Sequence, residues 1–298
     1  MTRTIKIAIQ GGAASFHETA AKELFPQEQI STISCASFPE LCHTLQAGLV
    51  DYAVMAVQNS VAGPILPNYR LLGQYGFSVQ AERWLLIDQT LMALPGQRLA
   101  DIQQIWSHPI ALLQCNEYIA QHPEKTTKET SDTADTARII KEGLIKGVAA
   151  IASRKAAELY GLEVLQENVA NQLDNYTRFL VLTPTAAAKP ANKATLLLPY
   201  PVAKFSLEAV LETVQDLGLE LTMLQALPSV NPGQPESWVL EIEAAQASQI
   251  TEALAALQIT SPNLQVVGIY PKAEAPLPQD RLNGCIAQQV QLEPELVV

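Results

Sequence analysis

Three polar clusters in this 298-residue chain carry side chains suited to holding a small anion: Ser15-Phe16-His17, Asn59-Ser60, and Asn175-Tyr176-Thr177-Arg178-Phe179. Hydroxyl and carboxamide donors orient a substrate oxygen, and a guanidinium pairs a carboxylate through two bonds. Each cluster also has a plain structural account: Ser15 as a helix cap, Asn59-Ser60 as a turn, and Thr177-Arg178 as the solvated start of a strand. Other chemistries lack their residues. His17-Glu18 opens a zinc-protease HExxH, but Ala21 stands where the second ligand belongs. Cys35, Cys42, Cys115 and Cys285 form no CxxC pair and have no histidine at zinc-ligand spacing, so they read as free thiols and no metal site is expected. Gly11-Gly12 continues into neither GxGxxG nor GK[ST], and no GxSxG elbow occurs. His108 is expected to act locally at a helix start, and His43 and His122 are read as structural.

These clusters need elements to hold them. Ile5, Ile7 and Ile9 alternate with Lys6 and Ala8 and predict a strand, followed by a turn and a helix from Ser15 to Phe25-Pro26. The rhythm repeats with extended ISTISCAS, helical PELCHTLQAG, extended YAVMAV and a segment holding Leu66, Leu71 and Leu72. Strands alternating with helices predict a mostly parallel sheet, with ligands collecting at the strand ends. A hinge is placed near Ser78, where SVQAERWLLIDQTLMALPG reads as one long extended run or two joined by a kink. Ser107 is read as an N-cap with Pro109 in the first turn, and Leu112, Cys115 and Ile119 share a helical face ending at His122-Pro123. TADTARIIKEG (helix), GVAAIAS (buried strand), RKAAELYG (helix closed by Gly161) and TRFLVLTP (strand) follow.

The pattern assigns residues 1–183 to a two-lobed α/β domain, with lobe 1 about 1–77 plus 172–183 and lobe 2 about 78–171. Residues 184–193, PTAAAKPANK, have linker composition. A second domain over 194–275 reads β-α-β-β-α-β, a ferredoxin-like order. Its first helix is marked by Leu207, Val210, Leu211, Val214 and Leu217. Residues 276–298 read as an irregular tail. Nineteen Lys plus Arg against thirty Asp plus Glu leave a net charge of −11, which argues against nucleic acid and anionic membrane surfaces as partners. No apolar run reaches the roughly 20 residues of a membrane span, and the semi-apolar start is too short for a signal-peptide core, so a cytoplasmic location is expected.

Residues 7–21, IAIQGGAASFHETAA, are similar to a family block GxxGSFHxxAA, and AVQNSVAG is similar to PIENSxxG. SHPIALLQC, AAIASRKAAELYGL and NYTRFLVL match further blocks in the same order, so the chain resembles the prephenate dehydratases that carry a carboxy-terminal ACT domain. The resemblance implies a two-lobed, periplasmic-binding-protein-like α/β catalytic domain with its site in the cleft. It also implies a regulatory, ferredoxin-like ACT domain that commonly binds phenylalanine. Prephenate loses carbon dioxide and the C4 hydroxyl, driven by aromatisation, with no metal, redox cofactor or covalent nucleophile. By resemblance Thr177 assists departure of the hydroxyl and Asn59 and Ser60 act with it, while Ser15, His17, Gln58, Arg178 and Phe179 contact substrate. Arg178 is the expected cation for a carboxylate, and Phe179 the wall for the ring. Arogenate, which differs by an amino group on the side chain, is the alternative substrate, and a weakly active binding regulator is the alternative role. A homodimer or homotetramer is expected from the family.

Two residues depart from the family in the catalytic part. Gln58 replaces a Glu, keeping its shape without its charge, and Ala14 replaces a Gly at a turn expected to need positive φ. In the second domain the family's PGxL stands as Pro201-Val202-Ala203-Lys204-Phe205-Ser206-Leu207, and SRP as Ala226-Leu227-Pro228. Ala203, Leu207, Leu227 and Pro228 are therefore the candidate effector contacts. The lost glycine and arginine argue against phenylalanine and leave dimerisation or another effector.

Overall fold

The computed structural model describes residues 3–185, 191–200, 207–227, 236–274 and 276. The first unit runs β1 (Ile5–Gln10), α1 (Phe16–Leu24), β2 (Ile30–Cys35), α2 (Phe38–Gln46), β3 (Tyr52–Asn59), the two-residue β4 (Gly63–Pro64), α3 (Leu66–Tyr75) and β5 (Ser78–Leu86). The second unit runs β6 (Thr90–Ala93), β7 (Gln104–Ser107), α4 (Pro109–Gln114), α5 (Asn116–Ala120), β8 (Thr126–Glu129), α6 (Thr133–Glu142), β9 (Val148–Ala152), α7 (Arg154–Tyr160) and β10 (Glu163–Gln166). Strand β11 (Tyr176–Thr183) then returns to the first unit. The carboxy-terminal unit comprises β12 (Lys193–Tyr200), α8 (Leu207–Asp216), β13 (Glu220–Leu227), β14 (Glu236–Glu243), α9 (Ala247–Thr260) and β15 (Gln265–Tyr270).

Local chemistry sets the helix starts. Ser15, Ser37, Asp132 and Ser153 each accept an N–H of the following turn through a side-chain oxygen, the ordinary N-cap arrangement. Gly76 and Gly161 close α3 and α7 in the left-handed conformation. The central strands are buried on both faces, which is why YAVMAV and VAAIA read as continuous apolar runs.

Both catalytic-side sheets share one strand order. The first is β2-β1-β3-β11-β5 and the second β8-β7-β9-β6-β10. In each, the first three strands are parallel and the fourth is antiparallel to both its neighbours. The expectation of a mostly parallel sheet is thus corrected to a parallel trio extended by antiparallel pairing, because β11 and β6 reverse direction on crossing between units. β5 also hydrogen-bonds along its whole length to β11, so the crossing lies at 87–89 and not at Ser78. Strand β10 was not expected. Its four residues show no apolar periodicity and are held by pairing with β6. Ser107 does not cap α4: its hydroxyl donates to the Ile151 carbonyl at 2.6 Å, and His108 is the cap.

The carboxy-terminal sheet has the order β13-β14-β12-β15, all antiparallel. Alternation divides its side chains cleanly. Ala194, Leu196, Leu198, Leu240 and Ile242 pack under α8 and α9, while Leu197, Met223, Leu227, Val239 and Val267 pack against the first unit near α3. At the seam β15 meets β5 where Gly268 lies opposite Val79. A Cβ on Gly268 would sit 2.6 Å from the Val79 Cβ and 2.8 Å from its nitrogen, so only glycine allows this approach. Cys35, Cys42 and Cys115 are buried free thiols. Cys285, half of the expected linker (186–190) and nearly all of the expected tail lie outside the described residues. No helix among the described residues is long and apolar enough to cross a membrane.

Candidate active site

Between the first two units lies a cavity of about 750 Å³. The carboxyl ends of β1, β2, β7 and β8 point at it, and the helices that follow open with their first turns in its wall: Ser15-Phe16-His17, Ser37-Phe38, His108, and Ser131-Asp132-Thr133. Amides of a helix's first turn have no acceptor within the helix and carry the positive end of its dipole, so this wall favours anions.

β11 and β3 pair with Thr177 opposite Asn59. Asn59 Oδ1 accepts the backbone N–H of Val61 at 3.0 Å and of Ala62 at 2.8 Å, which fixes the orientation of the amide. Its Nδ2 then faces Asn175 Oδ1 at 2.7 Å, the Tyr176 carbonyl at 3.1 Å and Thr177 Oγ1 at 3.0 Å. With the Thr177 oxygen accepting from Asn59, the Thr177 hydroxyl proton is free to donate into the cavity that both residues line. Ser60 clips the incoming loop: its N–H donates to the Tyr176 carbonyl at 2.8 Å, and its Oγ accepts the Tyr176 N–H at 2.9 Å.

His17 is buried beside Phe179 and Phe38, with ring centroids 4.9 and 5.6 Å away. Burial lowers its pKa to about 3, and Nε2 takes the Ala56 N–H at 3.4 Å, so it enters the wall as a neutral ring. His108 Nδ1 accepts the Ile110 N–H at 3.2 Å, which places the proton of the neutral ring on Nε2; burial lowers its pKa as well. Among the described lining residues Asp132 carries the only formal charge. Its Oδ1 caps α6 through the Asp135 N–H at 2.7 Å, and burial raises its pKa against the pull of that bond. Gly11, at φ +86°, makes room for it: a Cβ there would lie 2.6 Å from Asp132 Oδ2.

Of the residues expected in the site, Ser15, His17, Asn59, Thr177 and Phe179 line the cavity together. Ser60 stands behind them and holds backbone. Arg178 is a correction. It is 2% exposed on the opposite face of β11, and the carboxylate it grips is Glu241 of the carboxy-terminal unit. Strand alternation is the reason, since a residue next to Thr177 must point the other way. Gln58, opposite Arg178 on β3, follows it and accepts from Nη1 at 3.0 Å. Ala14 does adopt positive φ, +61°. Of the effector candidates, Leu207 is the first residue of α8 and packs, partly buried, against the core between the helices and the sheet, while Leu227 is buried on the other face of the sheet; Ala203 and Pro228 lie outside the described residues. Asp132, Ser37 and His108 were missed as site residues. The signal available was that each sits at a strand-to-helix junction equivalent to Ser15.

A family model described as prephenate dehydratase matches residues 7–187. A bifunctional chorismate mutase/prephenate dehydratase of Escherichia coli (strain K12) is 29% identical over 272 residues, covering 89% of this chain and 70% of that protein. A chloroplastic arogenate dehydratase/prephenate dehydratase 6 of Arabidopsis thaliana is 28% identical over 291 residues, covering 91% and 70%. Among solved structures, one described as GqqA, a novel type of quorum quenching acylase, superposes with a TM-score of 0.78 at 27% identity, covering 90% of this chain and 98% of that one. A prephenate dehydratase from Arthrobacter aurescens in complex with L-Phe has the same fold, with a TM-score of 0.78 at 23% identity over 97% and 99% of the two chains.

Proposed function

The chain belongs to the prephenate dehydratase family, and from that membership we propose that its interlobe cavity converts prephenate to phenylpyruvate, carbon dioxide and water. The observation that carries the reading is the Thr177 hydroxyl, held as an acceptor by Asn59 and therefore a donor toward the cavity. Thr177 donates to the C4 oxygen as the C–O bond lengthens. An alcohol is too weak an acid to surrender its proton outright, so the gain is stabilisation of charge on the leaving oxygen, and the departing hydroxide takes from solvent the proton that makes it water. Phe38, Ile87 and Phe179 give the cavity an apolar stretch in which the ring carboxylate is poorly hydrated, which favours its loss as carbon dioxide. No lysine or arginine appears among the described lining residues, so the first turns of α1, α2 and α6 are the counter-charge for the substrate's carboxylates.

Arogenate is a second reading, favoured by one observation: the Asp132 carboxylate in the wall is the partner an α-ammonium would take. The paired 2-1-3-crossing-4 strand orders support periplasmic-binding-protein-like lobes. The β13-β14-β12-β15 order with helices on one face supports a ferredoxin-like ACT domain that follows the catalytic part. Homo-oligomerisation, with dimerisation ranked ahead of effector binding as the role of the carboxy-terminal domain, and a cytoplasmic location complete the proposal. The test is phenylpyruvate formation from prephenate by wild type, Thr177→Val and Thr177→Ser, with and without phenylalanine. Loss of the hydroxyl lowers kcat by about 100- to 1,000-fold, the usual cost of one donor at a developing oxyanion, and serine restores much of it. A valine variant within a few-fold of wild type refutes the role of Thr177.

A further inference from the structure

Behind the catalytic strand, on the side away from the cavity, lies a buried charge cluster that the reaction itself does not use. Arg178 Nη1 donates to Glu241 Oε2 at 2.6 Å, and Nη2 donates to Glu241 Oε1. Its Nε lies 3.0 Å from Glu82 Oε2 as an ion pair without directional hydrogen-bond geometry. Lys193 closes the cluster, 3.1 Å from Glu82 and 3.0 Å from Glu243. Thr195 and Tyr69 donate to Glu241 Oε1 at 3.1 and 3.3 Å. Strands β12 and β14 of the carboxy-terminal unit and β5 and β11 of the first unit thus meet on one guanidinium and one ammonium.

Buried ion pairs seldom add stability over well-packed apolar side chains, because desolvation offsets the attraction. They do fix position, since each partner that moves leaves a charge uncompensated. What this cluster fixes is adjacent to the chemistry. Arg178 follows Thr177, Gln58 precedes Asn59, and the two pairs lie side by side in register, with a bulge directly after Arg178. The guanidinium, carried by β11, ties the two strands of that register by donating to Gln58 on β3, while Glu241 reaches in from the other domain.

We infer that Glu241 is a positioning residue for the dehydration: through Arg178 it sets where Thr177 and Asn59 stand, so the carboxy-terminal domain is part of the catalytic apparatus. The inference rests on the dehydratase reading. It is tested in the full chain by a double-mutant cycle on prephenate turnover with Glu241→Gln, Thr177→Ala and the two combined. Glu241→Gln lowers kcat by roughly 10- to 100-fold with little change in KM, the scale of a small misplacement of reacting groups. In the Thr177→Ala background the same change costs nothing further, because the residue it positions is gone. A purely structural role gives equal losses in both backgrounds and overturns the inference. So does a folded Glu241→Gln with wild-type kcat. Should that variant fail to fold, Arg178→Met combined with Glu241→Leu removes both charges and leaves Lys193 paired with Glu82. This pair variant folds and shows the same kcat loss, and wild-type turnover from it overturns the inference. A wild-type protein that turns over no prephenate overturns the dehydratase reading instead.

Discussion

Acidification from pH 7 to pH 5 destabilises this protein through His17. The imidazole is buried against Phe38 and Phe179, and its pKa falls from the ordinary 6.5 to about 3 because the charged form would lose its hydration there. Below pH 6.5 the unfolded chain binds a proton that the folded chain refuses, so stability falls with pH from about 6.5 down to about 3. At pH 5 the gap is about 1.5 pH units at 1.36 kcal/mol each, or about 2 kcal/mol. Other groups also titrate, so the measurement is a difference. Wild type and His17→Gln, which keeps an acceptor and has no titration, are unfolded in urea at both pH values and followed by fluorescence and circular dichroism. The loss of stability between pH 7 and pH 5 is smaller by about 2 kcal/mol in the variant. Equal losses, or a His17 ring whose NMR resonances titrate near the ordinary histidine value, refute the reasoning.

Asp132→Asn keeps a competent N-cap for α6 and removes the one formal charge among the described lining residues; KM for dianionic prephenate falls several-fold and KM for arogenate rises, in steady-state assays of both substrates. Gly11→Ala places a methyl 2.6 Å from Asp132 Oδ2 at φ +86°, and lowers stability by more than about 1 kcal/mol, read as a drop in Tm. Lys193→Met leaves Glu82 with less compensation and Glu243 with Lys272 alone, and costs about 3–5 kcal/mol in chemical denaturation.

What the amino-acid sequence determined by itself is what lies within a few residues of its cause. Ile5, Ile7 and Ile9 declare a strand by alternation, and Ser15, Ser37 and Ser153 cap the helices they precede through bonds three residues long. Gly161 stops α7 where φ turns positive, and the β-α-β-β-α-β order of residues 193–270 follows from local periodicities. Thr177 and Asn59 were legible as site residues because their blocks resemble the family's. Tertiary structure decided the rest, through pairings across long stretches of chain. β5 joins the first sheet because β11 returns almost 100 residues later to pair with it. Arg178 carries the chemistry of a carboxylate clamp in its own formula, but which carboxylate it takes depends on the strand face and on Glu241, 63 residues away. Asp132 becomes part of the cavity only when two separate sheets bring their helix starts together. A side chain's chemical capacity is local, whereas the partner that uses it is set by which faces the folded sheets bring into contact.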